Sequence, residues 1–197
     1  MISQILFAIL LGAAIYLFAS NIKKVARNIK LGRNIDRSDR SADRWKVMAR
    51  VALGQSKMVT KPIAGFLHII VYAGFVIINV EVMEILIDGL LGTHRVFSSI
   101  GPLYDMLIGS FEILAILVLL ACVVFLIRRN IIKIRRFTMR ELTSWPRTDA
   151  NLILITEILL MSAFLLMNGA DYVLQGRGVG HYVQAGAFPI SSMFDGI

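Results

Sequence analysis

The stretch Ile63-Ala64-Gly65-Phe66-Leu67-His68-Ile69-Ile70-Val71-Tyr72-Ala73-Gly74-Phe75-Val76-Ile77-Ile78-Asn79-Val80 decides the fold of this chain. Its 18 residues include no Asp, Glu, Lys or Arg. A run of that length and apolarity reads as a bilayer-spanning helix, because in hydrocarbon every backbone N–H and C=O must be bonded within the segment. Pro62 stands immediately before it, where a proline's missing N–H costs nothing because the first helical turn leaves that group unbonded anyway. The run continues with acidic residues to about Leu91.

Working outward, the same reading recurs three times. Ile2 to Ser20 is apolar and is followed at once by Asn21, Lys23, Lys24 and Arg27. A secretory signal places its cations before the apolar stretch, so a retained first helix is expected. A third run follows the Gly101-Pro102 breaker and extends to Ile127. A fourth starts near Thr148-Asp149-Ala150, with Thr148 or Asp149 as the expected cap, and ends around Leu174. The expectation is an all-α, polytopic membrane helical bundle, with four transmembrane helices over residues 2–22, 63–91, 103–127 and 150–174 of one membrane domain, 1–197.

Composition agrees. Of 197 residues, 57% are hydrophobic and 17% charged, against roughly half and a quarter in soluble domains. The single cysteine, Cys122, excludes an intrachain disulfide, a Cys-x-x-Cys metal site and a cysteine-ligated cluster. Inside an apolar run it reads as a small buried hydrophobe. No P-loop, Gly-x-Ser-x-Gly or His-Glu-x-x-His is present. Gly176-Arg177-Gly178-Val179-Gly180 lacks a strand–helix context and reads as a turn.

The net charge of +8 is topological. Residues 21–62 hold 12 of the 21 Lys and Arg residues, residues 128–149 hold 7, and Arg95 and Arg177 are the remainder. The positive-inside rule places 21–62 and 128–149 in the cytoplasm and both chain ends outside. The cations then orient the helices and meet anionic head groups, and no nucleic-acid role is needed. Trp45 and Trp145 suit the cytoplasmic interface. Ser41 to Gln55, with Trp45, Met48 and Ala52 at helical spacing among Arg44, Lys46 and Arg50, is expected to be a surface helix.

Ionisable residues inside spans are costly, and each is a hypothesis about function. His68 lies six residues into the second span, about 8 Å along the axis from its basic end. An imidazole there either ligates haem iron or hydrogen-bonds a neighbouring helix, and the residues alone leave both open. Gly65 and Gly74 offer room for a flat macrocycle. His94 and His181 are both in the opposite loops, so if His68 ligates a haem its partner histidine is expected from outside this chain. Glu81, Glu84 and Asp88 follow in the same helix, and Glu112 and Glu157 fall within the third and fourth spans. Glu81, Glu112 and Glu157 are candidate proton or quinone contacts. The competing reading pairs them, in neutral form, with one another and with Asn or Ser across helices.

Several stretches resemble membrane-bound iron–sulfur-binding oxidoreductases related to the heterodisulfide reductases, whose membrane part is similar to the gamma subunit of respiratory nitrate reductase. The likeness lies in Arg27-Asn28-Ile29-Lys30-Leu31-Gly32, Asp36-Arg37-Ser38-Asp39 and Ala52-Leu53-Gly54-Gln55-Ser56-Lys57-Met58. It continues in Lys61-Pro62-Ile63-Ala64-Gly65-Phe66-Leu67-His68, Asp88-Gly89-Leu90-Leu91-Gly92-Thr93-His94-Arg95, Thr143-Ser144-Trp145-Pro146, Asp149-Ala150-Asn151 and Ala185-Gly186-Ala187-Phe188-Pro189-Ile190-Ser191-Ser192. The resemblance implies a five-helix cytochrome b module and a cytoplasmic domain whose Cys-x-x-Cys-x-x-Cys-x-x-x-Cys-Pro motifs carry [4Fe–4S] clusters. It also implies that His68 is the second-helix axial ligand of a haem b. In the nitrate reductase relative two such histidines lie about ten residues apart; here those positions hold Met58 and Ile78, which puts a second haem in doubt.

The resemblance implies electron transfer between cytoplasmic iron–sulfur clusters and the quinone pool, in a bacterial inner membrane, with an electron-transfer flavoprotein as a possible donor. The fifth helix and the cluster domain are expected from further chain or from a partner. The alternative is a non-redox membrane anchor that docks a cytoplasmic iron–sulfur enzyme. A carboxylate-based transporter is disfavoured by the absence of inverted repeats and broken helices.

Overall fold

The computed structural model describes residues 2–33, 35–36, 38–56, 58, 61–139 and 144–194. Among them there is no strand. The chain is all-α, with helices α1 (Ile2–Lys30), α2 (Ser41–Met48), α3 (Pro62–Leu91), α4 (Pro102–Asn130) and α5 (Trp145–Gly176). Short 3₁₀ turns cover Val96–Ile100, Arg135–Thr138 and Ser191–Phe194. Helices α1, α3, α4 and α5 are long and apolar enough to cross a membrane. At about 1.5 Å per residue each exceeds 40 Å, so each also extends beyond the ~30 Å hydrocarbon core.

The helices outrun the expected spans for identifiable reasons. α1 continues to Lys30 through Lys23, Lys24 and Arg27, because Lys and Arg are good helix formers and cations near a C-terminus oppose the negative end of the helix dipole. α4 ends similarly on Arg128 and Arg129. α5 starts at Trp145 with Ser144 in the cap position and Pro146 in its first turn. Thr148 and Asp149 are therefore not its caps. They lie inside the helix, because Pro146 already meets the requirements of a first turn.

α3 begins at Pro62, as its sequence indicates, and stops at Gly92, whose φ of 72° is the left-handed conformation that ends helices. Gly101 precedes α4 with φ 68° and ψ −135°, a backbone region open essentially only to glycine. The expected helix within Ser41 to Gln55 forms as α2, continued by a π turn over Ala49–Leu53. Trp45 on it is exposed. Lys57, Arg37 and Thr143, part of the resembling stretches, lie outside the described residues.

Contacts divide the chain into two units, Met1–Gly65 with Ile87–Thr93, and Phe66–Leu86 with His94–Ile197. In the first, α1 buries no residue. Its N-terminal end lies along the last turns of α3: a Cβ on Gly89 would come within 2.6 Å of the Phe7 ring, and one on Gly92 would collide with Gln4. The first turn of α1 and the last of α3 are thus at one level, as alternating crossings require.

The second unit is a bundle of α3, α4 and α5. Its core is Ile78, Tyr104, Ile108, Phe111, Ala115, Val118, Cys122, Met161, Phe164, Leu165 and Phe188. α4 is its centre, with nine buried residues. Cys122 is among them, as its setting predicts. Gly74 of α3 lets that helix approach α4, for a Cβ there would run into Val118. Small residues at crossings are how membrane helices come close without a hydrophobic drive. The room beside Gly74 is therefore taken by a neighbouring helix.

Candidate functional site: an open histidine at one end and a closed charge network at the other

The second unit carries polar side chains at both ends. At the basic end, His68 comes from the second turn of α3, and Arg129 from the last turn of α4. With Val71, Phe125, Phe137, Ala150, Ile153 and Leu154 they line a cavity of about 260 Å³. The His68 Nε2 is buried and has no hydrogen-bond partner among the described residues. Arg129 is stacked on Phe137, 5.1 Å from its ring centroid, and donates to the Pro146 carbonyl at 3.3 Å. Its Nε is also buried without a partner. A buried nitrogen left unbonded costs free energy unless something binds it, and no described residue bonds His68 Nε2.

Glu157 lies on α5 one turn beyond Ile153, half-buried, and has no hydrogen-bond partner among the described residues. Asn130 and Asn151 bond each other across α4 and α5 near the same end.

At the other end Arg95 is the hub. Its Nη1 lies 2.8 Å from Glu81 Oε1 and 3.3 Å from the Tyr104 hydroxyl. Its Nε donates to Asp171 Oδ2 at 2.8 Å and its Nη2 to Asn168 Oδ1 at 2.9 Å. Phe188 covers the guanidinium, with its ring centroid 5.4 Å away. Burial alone would lower the Arg95 pKa, but Glu81, Tyr104 and Asp171 outweigh it and raise the value. Arg95 is therefore charged at every working pH. Glu84 accepts from the Phe97 amide at 2.8 Å and from the Tyr104 hydroxyl at 2.6 Å.

His94 accepts at Nδ1 from the Val183 amide, 3.0 Å away. That bond puts the ring proton on Nε2, which donates to Asp171 Oδ1 at 2.8 Å. His94 is thus the neutral tautomer, and with both nitrogens engaged it is not an open ligand. Gln175 exchanges two bonds of 3.1 Å with the Ala185 backbone and so holds the segment after α5 against the bundle. Further along that segment, Ile190 and Ser191 donate their amides to Glu112 Oε2 at 2.9 and 3.1 Å. The Ser191 hydroxyl donates to the Leu165 carbonyl at 2.9 Å.

The four candidate residues are thus distributed. His68 opens onto the basic-end cavity with Glu157 a turn deeper, Glu81 belongs to the Arg95 network, and Glu112 anchors the returning segment. Asp171, Asn168 and Tyr104 were not singled out from the sequence. One signal was present: Arg95 is the lone cation of its connection, following Glu81 and Glu84 spaced one helical turn apart. No group of three or more His, Cys, Asp or Glu side chains that would hold a metal ion exists among the described residues.

As one half of a haem site the His68 end fits. It supplies an unshared imidazole nitrogen, an aromatic and aliphatic wall, and a cation for an acidic ring substituent. The cavity is below the ~300–1,000 Å³ usual for a complete small-molecule site.

These features define a class: an all-α chain with four helices able to cross a membrane, an open buried histidine at one end of a three-helix core and a closed ionic network at the other. The chain is 28% identical, over 177 residues, to the probable iron-sulfur-binding oxidoreductase FadF of Bacillus subtilis (strain 168). The alignment covers 90% of this chain and 24% of FadF. The likeness supports a relationship to iron–sulfur oxidoreductases. No family model matches the chain, and no solved structure matches it.

Proposed function

We propose that this chain is the membrane electron-transfer module of a quinone-linked iron–sulfur oxidoreductase, with haem b held at His68. The observation that carries the reading is the buried, unpartnered Nε2 of His68 in the basic-end cavity. An imidazole kept free at that cost is suited to metal ligation. The likeness to FadF supports the redox class. Haem b supplies reversible one-electron transfer, while this chain's residues set its position and exclude water.

The undersized cavity and the engaged state of His94 support a second axial ligand from a fifth helix, so that the site is completed outside residues 1–197. Cys122 alone cannot hold a [4Fe–4S] cluster, which needs four thiolates. The clusters therefore belong to a cytoplasmic domain of the same polypeptide or to a partner, as does any docking surface for an electron-transfer flavoprotein. In this reading the membrane module is like the nitrate reductase gamma subunit, its basic loops face the bacterial cytoplasm, and the His68 end faces the clusters. In this reading Glu157, on α5 one turn beyond Ile153, meets a quinone head group.

The test is a dithionite-reduced minus oxidised spectrum of the natural full-length protein and its His68→Leu variant. Haem b bands in the first and not in the second support the reading. Leu at this position removes a buried unbonded group, so the cofactor-free variant should melt no lower than the cofactor-free parent. A full-length protein without haem bands, yet still delivering electrons to quinone, would replace this reading with the non-redox anchor.

A further inference from the structure

Two side chains lining the basic-end cavity carry unmet hydrogen-bonding capacity, and one of them is a permanent cation. Arg129 stands in the last turn of α4, and its buried Nε has no partner among the described residues. Its other contacts are neutral: Nη2 donates to the Pro146 carbonyl at 3.3 Å, and the guanidinium lies 5.1 Å from the Phe137 ring centroid. A guanidinium keeps its charge in proteins and presents its N–H groups in a rigid fork. Arg129 forms no ion pair among the described residues, whereas Arg95 meets Glu81 and Asp171 at 2.8 Å each. A half-buried cation with an unbonded N–H favours an anion that can accept from it.

The surroundings of Arg129 select what the anion is attached to. His68, whose Nε2 is also buried and unpartnered, lines the same cavity. The remaining wall is apolar. Val71 and Phe125 stand one turn further from the basic helix ends than His68 and Arg129, and Ile153 and Leu154 stand two turns into α5. Cation and imidazole thus sit nearer the helix ends, and hydrocarbon lines the inward part. That order matches an amphiphile, with its charged head at the basic end and its apolar body behind, where burial is favourable. A hydrated inorganic anion would gain nothing from those walls.

The guanidinium is also held before anything binds. Phe137 belongs to the turn Arg135–Thr138, and Pro146 to the first turn of α5, so two separate elements fix the fork of a residue on α4. A donor ordered in advance loses little freedom on binding. The cavity of about 260 Å³ takes the head of such a molecule and the start of its body, since complete ligand sites are usually larger.

We propose that the basic-end cavity binds the acidic group of an amphiphile, with Arg129 Nε donating to a carboxylate or phosphate oxygen and the apolar walls receiving the body behind it. Two sources carry that chemistry, the carboxylate of a tetrapyrrole and the phosphate of an anionic lipid. The site needs no iron on His68, so it stands or falls apart from the haem reading.

The test is native mass spectrometry of the full-length protein, stripped of lipid and cofactor, with two pairs of probes that differ only in the acidic group. One pair is haem b and its dimethyl ester, and the other is phosphatidic acid and the diacylglycerol with the same chains. In one pair the acidic member should bind about tenfold more tightly than its neutral counterpart, as one charge-assisted hydrogen bond implies. The preference should vanish in Arg129→Gln. It should survive in Arg147→Gln, which removes a nearby cation that bonds Asn130 and does not line the cavity. The pair that shows it identifies the source. If Arg129→Gln fails to accumulate, Arg129→Lys, which keeps the charge and lacks Nε, must reduce the preference. Equal binding of haem b and its ester, with neither lipid preferred, would keep iron on His68 and overturn this proposal alone. A preference that substitutions at position 129 leave intact also overturns it.

Discussion

Arg95 Nη1 and Glu81 Oε1 lie 2.8 Å apart, both side chains at least nine-tenths buried. This pair ties the connection between α3 and α4 back to α3, and through Asp171 and Asn168 the same guanidinium ties both to α5. Arg95→Ala removes the only buried cation of that network among the described residues. Breaking a buried pair from one side costs about 3–5 kcal/mol, because the abandoned carboxylates remain. The expected result in detergent is a collapse of the thermal transition and of the monodisperse fraction. Arg95→Lys should recover only part, since an ammonium cannot make the three-sided contact of a guanidinium. An alanine variant that melts with the parent would show that the network contributes little.

Gly74 and Val118 make a second test, of packing. Gly74→Val should destabilise by about 1–3 kcal/mol, the usual cost of overfilling a packed interior. Val118→Ala in the same protein should return most of it. Equal losses in the single and double variants would mean that the two side chains do not meet.

Asp36 gives a pH prediction outside the spans. Ser38 donates its amide to Asp36 Oδ1 at 2.9 Å, and this bond, followed by one from the Ser38 hydroxyl, lowers the Asp36 pKa from its ordinary 3.8. A depressed carboxyl pKa means that the turn's stabilisation is present above the ordinary value and is lost as pH falls through the lowered one. Asp36 is fully exposed, so the effect is local. In a ¹³C-carboxyl titration the midpoint should lie below 3.8. Ser38→Ala should keep most of the depression and Ser38→Pro, which lacks the amide, should abolish it. An ordinary midpoint in the parent would refute the assignment.

Orientation is open to labelling. Cys122 is buried and silent towards an impermeant maleimide, so single cysteines report cleanly. Gln184→Cys should label in intact cells, and Ser41→Cys only after lysis, if residues 21–62 face the cytoplasm. The reverse pattern would invert the topology and move His68 away from any cytoplasmic donor.

What could be read without coordinates was what the bilayer imposes. Stretches such as Ile63–Val80 have one solution in hydrocarbon, an internally bonded helix, and Pro62 and Gly101 mark ends by backbone chemistry alone. The place of His68 in the second turn of its helix followed from counting residues. The start of α5 was misplaced because Thr148 and Asp149 are good caps anywhere, while Pro146 acts only with the turn it begins.

The sequence by itself determined the all-α class, the four apolar helices and the presence of costly polar groups within them, because those depend on local composition and helical period. Only the tertiary structure decided which polar groups are satisfied. Glu81 and Arg95 are 14 residues apart, Arg95 and Asp171 are 76, and Glu112 and Ser191 are 79. Such pairs are chosen by helix register and by the return of the segment after α5, neither of which leaves a periodic trace in the chain. The same geometry left His68 Nε2 buried without a partner among the described residues, which no count along the chain could show.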